Sequence, residues 1–272
     1  MNCWCPFGYE QYIVAKSVSK QFVLRWFGEL HFGVRLRGRY LASALKGVNA
    51  ATTILDVGCN CGQTSFWLHR RFPNASIKGL DIDHSLIEHC QSIARKLDVC
   101  KVRFDSIDLL DLREKNEYDL IICFDVLEHI ADWETALHRL VSALKPGGRL
   151  LVHTPHKGYF QSSQFGLRRW FTASVANGHS EHVREGFVPE DFSVLAKRGL
   201  DCEIKFTFGS LTMWLHTFFE MYRNRSWLWH LVFTLPLLTL GIWDARVGHS
   251  IGGGLLIQAS KVNGTGEKRI GD

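Results

Sequence analysis

The sequence has no Cys-x-x-Cys pair, no long run of like charge, no internal repeat and no charged N-terminal stretch leading into an apolar leader. Each absence excludes something. The eight cysteines include only two close pairs, Cys3/Cys5 and Cys59/Cys61, and neither has a downstream partner at zinc-ligand spacing. Most other cysteines lie in apolar segments, where they act as small hydrophobes, and a reducing, cytoplasmic setting is expected. Without a leader, no secretory signal is expected. A formal net charge of +5 on 272 residues, without a basic run, argues against a nucleic-acid partner. Charge is scarce, at 22% of residues, while 46% are hydrophobic, so a sizeable core is affordable and disorder is not the default.

What is present is ordered. Residues 1–50 read as an N-terminal helical extension with many aromatics and a basic cluster at Arg35, Arg37 and Arg39. Strands are expected at Thr53–Val57, Ser76–Leu80, Lys101–Phe104, Tyr118–Phe124 and Arg149–His153. Helices fall between them at Gln63–Phe72, about Ser85–Leu97 and about Trp133–Leu144. The last helix runs into Lys145-Pro146-Gly147-Gly148, a stop signal. Strands alternating with helices predict a parallel sheet with right-handed crossovers. A further helix is expected at Pro189–Lys197, and two more strands at Asp201–Phe208 and Gly254–Lys261. The predicted domain spans 51–262, with insertions at 155–186 and 209–253, and a flexible tail at 263–272.

Chemistry concentrates where predicted strands end. Asp56-Val57-Gly58-Cys59-Asn60-Cys61-Gly62 joins the first strand to its helix, the place where open α/β sheets bind ligands. Gly79-Leu80-Asp81-Ile82-Asp83 ends the second strand with an acid able to accept ribose hydroxyls. Asp105-Ser106-Ile107-Asp108-Leu109 follows the third, and Phe124-Asp125-Val126-Leu127-Glu128-His129-Ile130 leaves the fourth. Lys145 to Leu151 completes the series. A nicotinamide dehydrogenase is disfavoured, because Gly-x-Gly-x-x-Gly would need glycines where Asn60 and Gln63 stand.

These five elements, in this order, resemble the class I S-adenosylmethionine (SAM)-dependent methyltransferase family. The resemblance rests on "LDVGCNCG", "GLDID", "DLIICFDVLEHI" and "LKPGGRLLVHTP" and covers about residues 53–156. It implies a Rossmann-like α/β fold: a seven-stranded, mostly parallel sheet, helices on both faces and an antiparallel last strand. It also implies SAM as cofactor, with S-adenosylhomocysteine as product. The methionine moiety would sit around Asp56, Gly58 and Gly62, ribose at Asp81, and adenine near Asp108 and Leu109. Cys59, Asn60, Ile82 and Phe124 complete the expected cofactor set. The chain departs from the family at Asn60, where a central glycine is common. Asn tolerates left-handed conformations, so the turn is expected to survive.

His129 is the first candidate for a general base toward a hydroxyl acceptor, with Glu128 beside it; the alternative is that His129 only orients the loop. His153, His156, His179 and His182 are further candidates. Asp125, Glu128 and His129 resemble the Glu-x-x-Glu-His cluster with which some quinone and RNA-end methyltransferases hold a divalent metal. With Asp at the first position, no metal site is expected. The 155–186 insertion, with Tyr159, Phe160, Phe165, Arg168, Arg169, Trp170 and Phe171, reads as a lid and acceptor pocket or as an extra packed helix. Residues 226–243 contain no Lys, Arg, Asp or Glu. A single crossing would strand the last strand away from its sheet, so spanning is not expected. The stretch 211–243 is read as a membrane-surface hairpin, a wall for a lipid-linked acceptor, a homodimer face or plain core. The expected activity is O-methylation of a small or lipid-linked metabolite or glycan, with a quinone-type polyprenyl phenol as the nearest rival acceptor. A non-catalytic SAM-binding module is the rival of another class. Peripheral attachment to a membrane's inner face accompanies the lipid-linked readings.

Overall fold

The computed structural model describes residues 7–29, 31–48, 51–157, 183–213, 215 and 239–262. Its seven strands are β1 (Thr53–Val57), β2 (Ser76–Asp81), β3 (Val102–Ser106), β4 (Tyr118–Phe124), β5 (Leu144–Pro155), β6 (Leu200–Thr207) and β7 (Gly254–Lys261). They form one sheet in the order β3-β2-β1-β4-β5-β7-β6. The first five strands pair in parallel, while β7 runs antiparallel to both β5 and β6. The order reverses beside β1, so the carboxyl ends of β1 and β4 flank a topological switch point, the usual ligand crevice of such sheets.

The central strands are apolar on both faces because both faces are covered. Along β4, Leu120 and Ile122 enter one buried cluster, and Ile121 and Cys123 enter the other. The first cluster receives Phe66, Trp67 and Leu68 from α3 (Gln63–Arg71) and Ile87, Cys90 and Ile93 from α4 (His84–Lys96). The second receives Ala136, Leu137 and Leu140 from α5 (Trp133–Ala143) and Leu195 from α6 (Ser193–Lys197). Pro189–Phe192 forms a 3-10 turn leading into α6, so the helix expected over Pro189–Lys197 is split between two geometries.

β5 begins earlier than the sequence pattern indicates. It leaves α5 directly at Leu144, which pairs with Tyr118, and then slips register so that Arg149 faces Leu120. Lys145 to Gly148 are therefore a bulge within the strand rather than a separate turn, with Gly147 at φ 76°.

The described N-terminal residues are helical: a 3-10 turn (Tyr9–Val14), α1 (Val18–Phe27) and α2 (Phe32–Ala44). Phe7 stacks on Trp67 of α3, with ring centroids 5.0 Å apart. Leu36, Leu41 and Leu45 join the first core cluster. Among the described residues, no helix is long and apolar enough to cross a membrane. Most of the 155–186 insertion and most of 211–243 lie outside the described residues, as do His179, His182 and the expected lid aromatics.

Candidate active site

The turn after β1 is left-handed twice over. Gly58 has φ 67° and Asn60 φ 48°, so the asparagine adopts the conformation that a glycine there would take freely. A Cβ on Gly58 would lie 2.2 Å from Val126 Cγ2, so only glycine lets the turn approach the loop after β4. The Asn60 backbone N–H donates to Asp81 Oδ2 at 2.8 Å, and Asn60 Oδ1 accepts from the Cys61 N–H at 2.7 Å. The other Asp81 oxygen accepts from the Asp83 N–H at 3.0 Å. Asp81 thus fixes the β1 turn and the β2 turn to each other. Ile82, the next residue, is 72% exposed.

Asp56 ends up beneath this turn, buried, with Ser65 Oγ donating to it at 2.5 Å. Burial pushes its carboxyl up to about 7, despite the help from Ser65. Gly62 is buried at the head of α3, and Cys59 is buried as well. A hydrogen bond with Cys90 and burial hold the Cys59 thiol up, and burial pushes Cys61 up to about 11, so neither is a thiolate nucleophile near neutrality. Asp108 caps the short 3-10 helix Leu109–Asp111, accepting from the Leu110 N–H at 2.9 Å, and Leu109 is buried in the same cluster as Val57 and Leu80.

The loop after β4 supplies the second half. Asp125 has φ 54° and forms an ion pair with Arg37 of α2. Its carboxylate also accepts from His153 Nδ1 at 2.7 Å, and the far nitrogen of His153 meets Thr207 Oγ1 at 2.9 Å. Burial acts to raise the Asp125 carboxyl, but the charges of Arg37 and His153 outweigh it and hold the group well below the usual carboxylate range. A Cβ on Gly254 would sit 2.5 Å from Thr207 Oγ1 and 2.8 Å from His153 Nε2, so this strand position must be bare for the chain of contacts to close. Phe124 is half-buried at the end of β4, its ring 5.4 Å from the His153 ring.

Glu128 is 1% exposed, and its Oε2 has no hydrogen-bond partner among the described residues. Burial, then the neighbouring Asp125 charge, raise its carboxyl well above the ordinary value. His129 is half-buried in the same 3-10 turn (Leu127–His129). His156 is buried, with Nδ1 donating to the Gly252 carbonyl at 2.9 Å. With both ring nitrogens engaged, His153 is a structural link rather than an open base. Asp125 is likewise committed to Arg37 and His153, and among the described residues no group of three or more His, Cys, Asp or Glu side chains is placed to hold a metal ion.

The N-terminal segment lies against this edge. Gln11 Nε2 donates to the Cys61 carbonyl at 2.6 Å, and Gln11 Oε1 meets His89 Nε2 at 2.9 Å. Tyr40 donates to Asp244 and accepts from the Phe208 N–H at 2.6 Å. Buried Asp244 also accepts from the Gly209 N–H and the Thr212 hydroxyl and contacts His249. Sequence reading did not single out Ser65, Tyr40, Thr207 or Asp244, and it saw Arg37 only as part of a basic cluster.

A family model described as a methyltransferase domain matches residues 48–187. A ubiquinone biosynthesis O-methyltransferase from Alkalilimnicola ehrlichii is 31% identical over 121 residues, covering 44% of this chain and 47% of that protein. A malonyl-[acyl-carrier protein] O-methyltransferase from Priestia megaterium is 31% identical over 113 residues, covering 42% and 40%. The alignment therefore spans about half, or less, of each curated relative's length. Among solved structures, phosphoethanolamine N-methyltransferase 2 of Haemonchus contortus, in complex with S-adenosyl-L-methionine, superposes with a TM-score of 0.58 at 17% identity, over 83% of this chain and 52% of that one. At that identity the likeness is one of fold.

Proposed function

The chain belongs to the class I SAM-dependent methyltransferase family, and from that premise we propose that it methylates an oxygen of a small or lipid-linked acceptor. The observation that carries the reading is the interlock of two acids at adjoining strand ends. Asp56 lies buried beneath the Gly58–Gly62 turn, and Asp81 holds that turn through the Asn60 N–H. Two features support an adenosyl cofactor in this cradle: Asp81 offers a carboxylate for the ribose, and exposed Ile82 offers an apolar platform.

When bound, SAM supplies a sulfonium-activated methyl group. The chain's own residues do the rest. Asp56, Gly58, Cys59, Asn60 and Gly62 form the floor for the methionine end, while Asp81 and Ile82, with Asp108, Leu109 and Phe124 nearby, frame the nucleoside. Catalysis in this scheme is mainly positioning, which can lower a barrier by about 7–11 kcal/mol at best. His129 removes the acceptor proton, and buried Glu128, beside it in the same turn, positions it. The two relatives quoted above are O-methyltransferases by name, and one is named for ubiquinone biosynthesis, which supports oxygen as the target and keeps a quinone-type phenol as the second reading. In this scheme 1–50 is an appendage to a 51–262 catalytic domain, and the chain works in the cytoplasm or on a membrane facing it.

The test is incubation of the full chain with methyl-labelled SAM and a cell lysate, separated into lipid, glycan, small-metabolite, RNA and protein fractions. Label in the lipid, glycan or metabolite fraction, released by treatment specific for methyl ethers or esters, is the expected result. Label in RNA or protein overturns the acceptor class. Binding of SAM without label in any fraction favours a non-catalytic binding module.

A further inference from the structure

Helix α1 buries little of itself. Leu24 is its one fully buried side chain. Val18 is 80% exposed, Phe22 59% and Trp26 67%. At 100° per residue these three fall within about 80° of one another, on the side opposite Leu24. Phe22 and Trp26 touch each other, with ring centroids 6.3 Å apart, so the stripe is continuous. Phe27, at the end of the helix, is 44% exposed. Such a stripe costs solubility unless something covers it.

The charges around it are of one sign. Arg25 is exposed and lies alongside the apolar stripe on the helical wheel, whereas Lys16 precedes the helix and Lys20 falls on the Leu24 side, where both line a pocket with Cys61 and Gln63. Between Glu10 and Glu29 the sequence holds no acidic residue, and Glu10 itself is buried and paired with Arg70. Aromatic residues flanked by a long cationic side chain, on a helix that carries no acid, match the boundary layer of a bilayer. There the rings sit at headgroup depth and the cations reach anionic phosphates. A protein partner would need a complementary acidic rim, and a second copy of α1 would bring like charges together.

We propose that α1 is a membrane-docking helix that lays Val18, Phe22 and Trp26 into a bilayer surface carrying anionic lipid. The assignment needs no particular acceptor and stands or falls separately from methyl transfer. It gives docking to a described surface helix, where the sequence had pointed only to the apolar stretch 211–243.

The experiment is cosedimentation of the full chain with vesicles of phosphatidylcholine alone and of phosphatidylcholine mixed with phosphatidylglycerol. Binding to the anionic vesicles, weakened by salt, is expected. Phe22→Ser/Trp26→Ser should lose roughly ten-fold or more in partitioning, since burying one large side chain is worth about a decade. Arg25→Glu should lose binding at low salt. Calorimetric SAM affinity should stay unchanged in both variants, which separates lost docking from a lost fold. Failure of the wild type to bind overturns the proposal. So does binding that survives both variants, or that is instead lost in Trp243→Ala, which would place docking near the apolar stretch. Light scattering showing a wild-type dimer that Phe22→Ser/Trp26→Ser dissociates, with no vesicle binding, would assign the stripe to self-association instead.

Discussion

The two halves of the site are built differently. The half at β1, β2 and β3 is made mostly of contacts between neighbours in sequence or on adjoining strands, with Gln11 of the N-terminal segment also reaching in to Cys61 and His89. Asn60 reaches Asp81 across 21 residues, and Asp83 caps its own helix by accepting from Ser85 and Leu86. The half at β4, β5 and β7 is made of distant pairings. His153 meets Thr207 across 54 residues, and Tyr40 meets Asp244 across 204. The first half is a set of turns that the local sequence nearly dictates. The second forms only once the sheet has closed and α2 has docked, so a change there acts through the fold as much as through the chemistry.

This contrast can be broken at specific positions. The largest effect is expected for Gly58→Ala. The substitution forces an L side chain to φ 67° and drives its Cβ to 2.2 Å from Val126 Cγ2. A loss of about 2–4 kcal/mol in thermal or urea unfolding is expected, with SAM binding impaired because the turn itself must move. Wild-type stability and affinity in this variant would show that the turn is looser than described.

Next is Asp56→Asn, which sharpens the comparison through pH. Unfolded, Asp56 titrates near its ordinary 3.8, and folded it is pushed up to about 7. The folded state therefore holds the proton more tightly, and between these values wild-type stability falls as pH rises. The Asn variant lacks this slope. The two proteins should be alike near pH 4, and by about pH 8 the variant should be clearly the more stable. Parallel pH–stability curves would mean that Asp56 ionises normally in the fold.

Tyr40→Phe should have the smallest effect, a loss of about 1–2 kcal/mol, because it strands the Phe208 N–H and one oxygen of buried Asp244. It should leave SAM affinity unchanged, since its contacts belong to the second half. A SAM-binding defect without a stability loss would reverse that assignment.

The same division explains what was legible in the sequence. β1, β4 and β7 fall where apolar runs and turn signals put them, and the antiparallel final strand followed from family resemblance. The left-handed Asn60 followed from the family's glycine at that place together with the tolerance of Asn for such backbone. The start of β5 was missed because Pro146-Gly147-Gly148 reads as a stop, and only pairing with Tyr118 shows that the strand passes through it. His153 looked like an open base because a histidine after an apolar run carries no sign of its partners. Asp125 and Thr207, which occupy both of its nitrogens, lie on other strands' ends. Arg37 and Tyr40 were invisible as site neighbours for the same reason: a helix face has no local signal for a partner as distant as Asp125 is from Arg37, or Asp244 from Tyr40.

The most direct measurement is calorimetric titration of SAM into the full chain, its Asp81→Ala variant and an Asp105→Ala control. Asp105 is an exposed acid on the neighbouring strand that pairs with Lys78. Asp81 anchors two backbone N–H groups and is the proposed ribose ligand, so its loss should weaken SAM by about ten- to a hundred-fold, while the control binds like wild type. Equal affinities in all three proteins would contradict the placement of the cofactor at this sheet edge.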